Sequence, residues 1–263
     1  MKKKNWFEDT EFWEYFAPIM FDEVHWAEVP EVAEAVTRLC RFNSFGETPK
    51  KEWHKPLDSI PKILDLCCGP GRISYELASM GFAVTGVDIT ESFLKTARED
   101  AAVENLNIEY IQEDARKFIR PGSFDAILNL YISFGYFEDQ KDDLKVLRNV
   151  YESLKPGGTF IIETLGKEVA VINFVESEWF ERAGYTVLTE YELLDSCTFL
   201  KNRWIILNDK MRVEKIFTQR LYSGSELRVL LKEAGFEQID IFGDWDESPY
   251  DQKARMLIAV CKK

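Results

Sequence analysis

The chain has 263 residues, 46% of them hydrophobic, enough for one large α/β domain or a domain with an inserted subdomain. With 46 acidic against 33 basic residues the net charge is −13, a field that repels nucleic acid and anionic membrane, and the one basic run, Lys2-Lys3-Lys4, reads as a solvated terminus. No apolar stretch approaches the ~20 residues that span a bilayer, no apolar signal segment follows the lysines, and five irregularly spaced cysteines make neither a disulfide framework nor a zinc site, so the composition predicts a cytoplasmic, metal-free protein with reduced thiols.

In chain order, residues 5–45 carry helical spacing, first through Phe12, Tyr15, Phe16 and Ile19, then through Val32, Ala35, Val36 and Leu39 behind Pro30. The polar, Pro-rich stretch 46–61 is a connector. From residue 62 short apolar runs alternate with amphipathic segments. Strands are expected at 62–66, 82–88, 108–114, 124–130 and 159–164. Helices are expected at 72–80, at 91–103 behind a Thr90 cap, and at 139–154, the last stopping at Lys155-Pro156-Gly157-Gly158. This rhythm predicts a doubly wound, mostly parallel sheet with helices on both faces, whose ligands bind at the carboxyl ends of the strands. Between about 165 and 222 the pattern turns β-rich, as an antiparallel meander of three strands. A helix near 225 and two strands, "FEQIDIFGD" and "RMLIAVCKK", finish the chain.

The informative stretch is "KILDLCCGPGRIS", residues 62–74. A carboxylate stands inside an apolar strand, followed by a turn almost without side chains and then helix-forming residues. Such a turn lets a ligand approach the backbone. A P-loop is excluded, because no Gly-Lys-Ser/Thr follows at the required spacing. A dinucleotide fingerprint needs a third small residue, Gly or Ala, where Ser74 stands. Asp65, Asp88 and the run Glu113-Asp114-Ala115 fall at the ends of three successive strands, on one sheet edge. Carboxylates there repel a pyrophosphate and suit a ligand with a ribose, an amino group and no phosphate.

With these motifs the sequence resembles the class I S-adenosylmethionine-dependent methyltransferases. "LDLCCGPGR" is similar to the family's first motif, Asp88 to the acid after the second strand, "EDA" at 113–115 to the third motif, and "LKPGG" at 154–158 to the turn before the fifth strand. The resemblance implies a Rossmann-like methyltransferase fold with a seven-stranded sheet, an N-terminal helical cap (1–55), and a methyltransferase domain (56–263) with the β-rich insert at about 165–222. It implies S-adenosylmethionine as cofactor. Gly69 and Gly71 would admit its methionine part, with Leu66 and Cys67 lining the site. Asp65 would orient the glycine turn and face the cofactor's amino group. Asp88 would accept both ribose hydroxyls and Ile89 would pack on adenine. Beside Glu113, Asp114 and Ala115 would bind the adenine edge, and Asn129 and Leu130 would border the sulfonium. Arg72 would either reach the cofactor carboxylate or face solvent.

The segment after the fourth strand, "NLYISFGYF" (129–137), contains no proline, unlike DNA and glutamine amino-methyltransferases, and no Pro-Cys dipeptide supports cytosine-C5 chemistry. It resembles instead the small-molecule N- and O-methyltransferases, including the glycine and amino-sugar N-methyltransferase group. Three residues are candidates for acting on the acceptor: Tyr131, Tyr136 and, with an ordinary pKa of ~6.5, His25. The reading is methyl transfer to a nitrogen or oxygen of a small molecule, with no nucleic-acid or membrane partner. Alternatives are an RNA or protein methyltransferase, a catalytically silent cofactor-binding regulator, and a NAD-dependent oxidoreductase.

Overall fold

The computed structural model describes residues 5–42 and 60–263. Most of the expected connector, the 55/56 domain boundary and the Lys2-Lys3-Lys4 run lie outside the described residues.

Seven strands form the central sheet: β1 (Lys62–Leu66), β2 (Ala83–Asp88), β3 (Ile108–Gln112), β4 (Phe124–Asn129), β5 (Leu154–Thr164), β10 (Gln238–Phe242) and β11 (Leu257–Lys262). Their order is β10-β11-β5-β4-β1-β2-β3. The strands β1 to β5 pair in parallel, and β11 runs antiparallel between β5 and β10. The parallel strands read as near-continuous apolar runs because both faces are covered. Within β1, Leu64 enters the core under α6 (Gln140–Ser153) and α8 (Gly224–Ala234). Its neighbour Ile63 enters the opposite core, under α3 (Val29–Leu39) and α4 (Arg72–Ser79).

Local chemistry accounts for the helix ends. Ser223 and Glu226 form a reciprocal capping box at the start of α8, and Gly235 closes it with φ 118°. The helix α5 (Glu91–Val103) starts behind Thr90, as expected, but the Thr90 side chain makes no capping bond; its N–H donates to Asp88 Oδ1 at 2.8 Å. The fifth strand begins at Leu154, earlier than expected, because Leu154 pairs with Phe124 before the register shifts around Gly157, whose N–H donates to Lys263 O.

The insert holds α7 (Lys167–Ile172) and an antiparallel sheet of β6 (Ser177–Arg182), β7 (Tyr185–Leu194), β8 (Phe199–Leu207) and β9 (Arg212–Arg220). It has four strands rather than the three expected. The missed strand, β6, is an edge strand with mostly exposed side chains, so it carries no clean alternation. It joins β7 through Ala183-Gly184, both at positive φ, the geometry of a two-residue hairpin turn. One face of this sheet buries Val187, Ile206 and Phe217 against Phe12, Phe16 and Ile19 of α1 (Thr10–Met20). The N-terminal helices and the insert therefore share a core of their own. No helix among the described residues is long and apolar enough to cross a membrane.

Candidate functional site

A cavity of about 1030 Å³ opens at the carboxyl ends of β1, β2 and β4 and runs under the N-terminal helices to the inner face of the insert sheet. The strand β1 ends against β2: Cys67 turns left-handed at φ 64°, and the N–H groups of Cys67 and Cys68 both donate to Val87 O, at 2.7 and 3.0 Å. The glycine turn follows, and its Gly69 N–H donates to Asp88 Oδ2 at 2.8 Å. Asp88, not Asp65, thus holds the turn. Asp65 accepts instead from Ser74 Oγ at 2.6 Å, in the first turn of α4, which corrects the expected orienting role. Burial pushes Asp65 up to about 6, with the Asp88 charge adding to it and the Ser74 bond opposing. Asp88 is likewise raised by burial, against the N–H groups of Thr90 and Gly69.

Most expected site residues meet here. Asp65, Leu66, Cys67, Gly69, Arg72, Asp88, Ile89, Glu113, Asp114, Ala115, Asn129 and Leu130 all line the cavity, as do Tyr131, Tyr136 and His25. Gly71 does not. It sits at φ 82° before α4, and a Cβ there would lie 2.6 Å from Tyr110 Oη and 2.9 Å from Ala97 Cβ. Its glycine serves backbone geometry and packing, not ligand access. Arg72 lines the cavity and does not face solvent. It is 5% exposed, donates to His25 O at 2.6 Å and lies over the Tyr131 ring at 4.3 Å. Asp114 is engaged by its neighbour: the Arg116 guanidinium donates to both carboxylate oxygens. Any adenine contact of that side chain must be shared with Arg116.

The acceptor-side candidates have distinct settings. Burial raises the Tyr131 phenol to about 12, opposed by Arg72, and its hydroxyl has no hydrogen-bond partner among the described residues. Tyr136 packs between Trp6, Phe7 and Trp13, and burial raises it further. His25 Nδ1 pairs with Asp22 Oδ1, and the other Asp22 oxygen pairs with Arg182 at 3.3 Å, which joins the N-terminal segment to β6. Sequence reasoning missed Glu163 near the end of β5, a cavity-lining carboxylate pushed up to about 7 by burial. Its signal was the one recognised at Asp65, an acid inside an apolar run. It also missed the insert's polar contribution, Asn202 and Gln219, which line the cavity from β8 and β9.

A doubly wound sheet with a glycine turn after β1 and acids at the ends of its first three strands is the architecture of the class I methyltransferases. Residues 63–158 match the family model of a methyltransferase domain. The chain is 31% identical over 169 residues to a ubiquinone biosynthesis O-methyltransferase of Caulobacter vibrioides, covering 62% of this chain and 61% of that protein. It is 27% identical over 217 residues to a glycine/sarcosine N-methyltransferase of Halorhodospira halochloris, covering 77% and 75% of the two chains. Its fold is that of an S-adenosylmethionine-dependent methyltransferase of Clostridium acetobutylicum, with a TM-score of 0.73, 16% identity, and 96% and 97% of the chains aligned. These matches make the chain an S-adenosylmethionine-dependent methyltransferase, and S-adenosylmethionine is its cofactor. The donor set fits that cofactor: Asp88 lines the cavity as an acceptor-only group whose oxygens each take one backbone N–H and keep acceptor capacity, and the buried acids suit a cationic ligand without phosphate.

Proposed function

We propose that this enzyme methylates a nitrogen or oxygen of a small molecule held between the strand ends and the insert sheet. The observation that carries this reading is the continuity of one cavity from Asp88 to Asn202 and Gln219, walled by aromatic side chains of the N-terminal helices and the insert. A polymer would need an open groove with a basic lining, and the charge of −13 opposes nucleic acid.

Bound S-adenosylmethionine supplies an electrophilic methyl group on a sulfonium. The protein's residues do the rest. Asp88 accepts the ribose hydroxyls, Gly69 leaves room for the methionine part, Asp65 faces its amino group, and Ile89 with Ala115 frames the adenine. Asn129 and Leu130 border the reacting centre. Tyr131 orients the acceptor through its unpartnered hydroxyl, Tyr136 forms an aromatic wall, and His25 stands at the rim as a candidate base. The N-terminal helices and the insert act together as a cap that excludes water, so that positioning and desolvation supply the acceleration.

The test is a screen of a cellular extract, split into small-molecule and macromolecular fractions, for methyl transfer from labelled S-adenosylmethionine. Label in the small-molecule fraction is expected. Label confined to RNA or protein would replace this reading with the polymer one.

A further inference from the structure

The turn that follows β4 is held in a backbone conformation its residues do not favour. Tyr131 and Ile132 stand at φ 54° and 59°, both left-handed and neither glycine. For a β-branched residue such as Ile132 this is an outlier, and such conformations persist only where the surroundings determine them. The cause lies in strand lengths. Asn129, the last residue of β4, pairs with Ile162, and β5 continues two residues further, through Glu163 and Thr164. The amides after Asn129 therefore have no strand partner, and the Glu163 side chain takes that place. Its carboxylate accepts the Tyr131 N–H at 2.5 Å, and the amides of Tyr131 and Ile132 both oppose the rise that burial imposes on it. The carbonyl side of the same turn is held from the insert: Gln219 Nε2 donates to Ile132 O at 3.3 Å and to Phe134 O at 3.1 Å. Glu163 and Gln219 are both buried, and each lines the cavity. Arg72, stacked on the Tyr131 ring, closes the third side.

We propose that Glu163 is a positioning residue for methyl transfer, fixing the 131–132 turn and through it the Tyr131 hydroxyl, with Gln219 of the insert as its counterpart on the carbonyl side. Glu163 is not assigned to touch the reacting atoms. It acts by determining where a neighbouring phenol stands. Gln219 gives the insert a direct hold on the turn that borders the reacting centre, so an occupant of the insert half of the cavity and the geometry of that centre are linked through one side chain. This inference rests on the role given to Tyr131 above.

A double-mutant cycle separates it from a general structural role. The variants are Glu163→Ala, Tyr131→Phe and their combination, with Glu163→Gln as the conservative partner, since an amide keeps one acceptor oxygen. The readouts are the initial rate of labelled-methyl transfer into extract at saturating S-adenosylmethionine, calorimetric affinity for S-adenosylhomocysteine, and amide hydrogen exchange at residues 131–132. Glu163→Ala should slow transfer about fivefold to tenfold in the wild-type background and less than about twofold in the Tyr131→Phe background, because residues acting as one unit are non-additive. Glu163→Gln should recover part of the rate. Exchange at Tyr131 should rise at least about tenfold while S-adenosylhomocysteine affinity stays within about threefold, because that amide loses its acceptor while Asp65 and Asp88 stand on other strands. Equal losses in both backgrounds, unchanged exchange, or a parallel fall in cofactor affinity would each overturn the proposal. If Glu163→Ala does not fold, the cycle with Glu163→Gln decides it. If the wild-type enzyme labels only the macromolecular fraction, the small-molecule reading fails, and the same cycle on that fraction still decides the role of Glu163.

Discussion

The backbone N–H of Gly69 reaches across to Asp88 Oδ2 at 2.8 Å, fastening the glycine turn after β1 to the end of β2. One carboxylate thus holds the turn and presents its remaining acceptor capacity to the cavity. Asp88→Ala removes both functions. Its affinity for S-adenosylhomocysteine should fall by about 1–3 kcal/mol, the scale for losing hydrogen bonds to a charged acceptor, when measured by calorimetry. An unchanged dissociation constant would remove the ribose assignment.

Replacing Tyr131 by Phe takes away only a hydroxyl that is unpartnered among the described residues, while the ring that stacks on Arg72 stays. Turnover per enzyme at saturating cofactor should drop roughly threefold to tenfold, about the worth of one hydrogen bond, with S-adenosylhomocysteine affinity intact. A matched loss of both would assign Tyr131 to the cofactor instead of the acceptor.

Phe16 is fully buried between α1 and the insert sheet, in the core it shares with Val187, Ile206 and Phe217. Phe16→Ala should cost about 3–5 kcal/mol, the range for truncating a buried aromatic, read as a lower urea midpoint. A loss under about 1 kcal/mol would mean that the N-terminal helices are a loosely seated cover and not part of a packed core.

Buried acids set the pH dependence. Asp143 has no exposed surface; burial raises it to about 7, against the Tyr222 hydroxyl at 2.7 Å and the Arg220 charge, with Asp142 adding to the rise. Asp65 and Glu163 are raised by burial to about 6 and about 7. A folded pKa above the unfolded one means the native state holds more protons in between, so stability is full below about 4 and is lost as pH rises through about 7. The urea midpoint should therefore be higher at pH 5 than at pH 8, and Asp143→Asn should flatten that difference. A midpoint that instead rises between those values would show that other groups outweigh these acids.

Much of the cavity lining at the strand ends was legible in the sequence. Asp65, Asp88 and Asp114 announce themselves as acids at the ends of apolar runs, and Gly69 as the turn between strand and helix. Each is a local signal, resolved within a few residues. Asp65 also shows where such reading stops. The pattern finds the carboxylate but not its partner, which is Ser74 on α4 and not the adjacent turn. Gly71 fails in the same way, since its need for glycine comes from Tyr110 on β3 and Ala97 on α5.

The amino-acid sequence by itself determined the alternation of strands and helices, the β-rich interruption after β5, the helix near 225, and which residue types stand at the sheet's carboxyl edge. Periodicity, turn chemistry and charge are properties of neighbouring residues, so they survive without a fold. The tertiary structure decided what those residues do to one another. Glu163 meets the amide of Tyr131 because β5 lies beside β4 and outlasts it; Arg72 is interior because residues 21–25 fold over it; and β6, an edge strand, exists because β7 offers it a partner. Pairings between distant segments depend on strand order and register, and a one-dimensional pattern of hydrophobicity records neither.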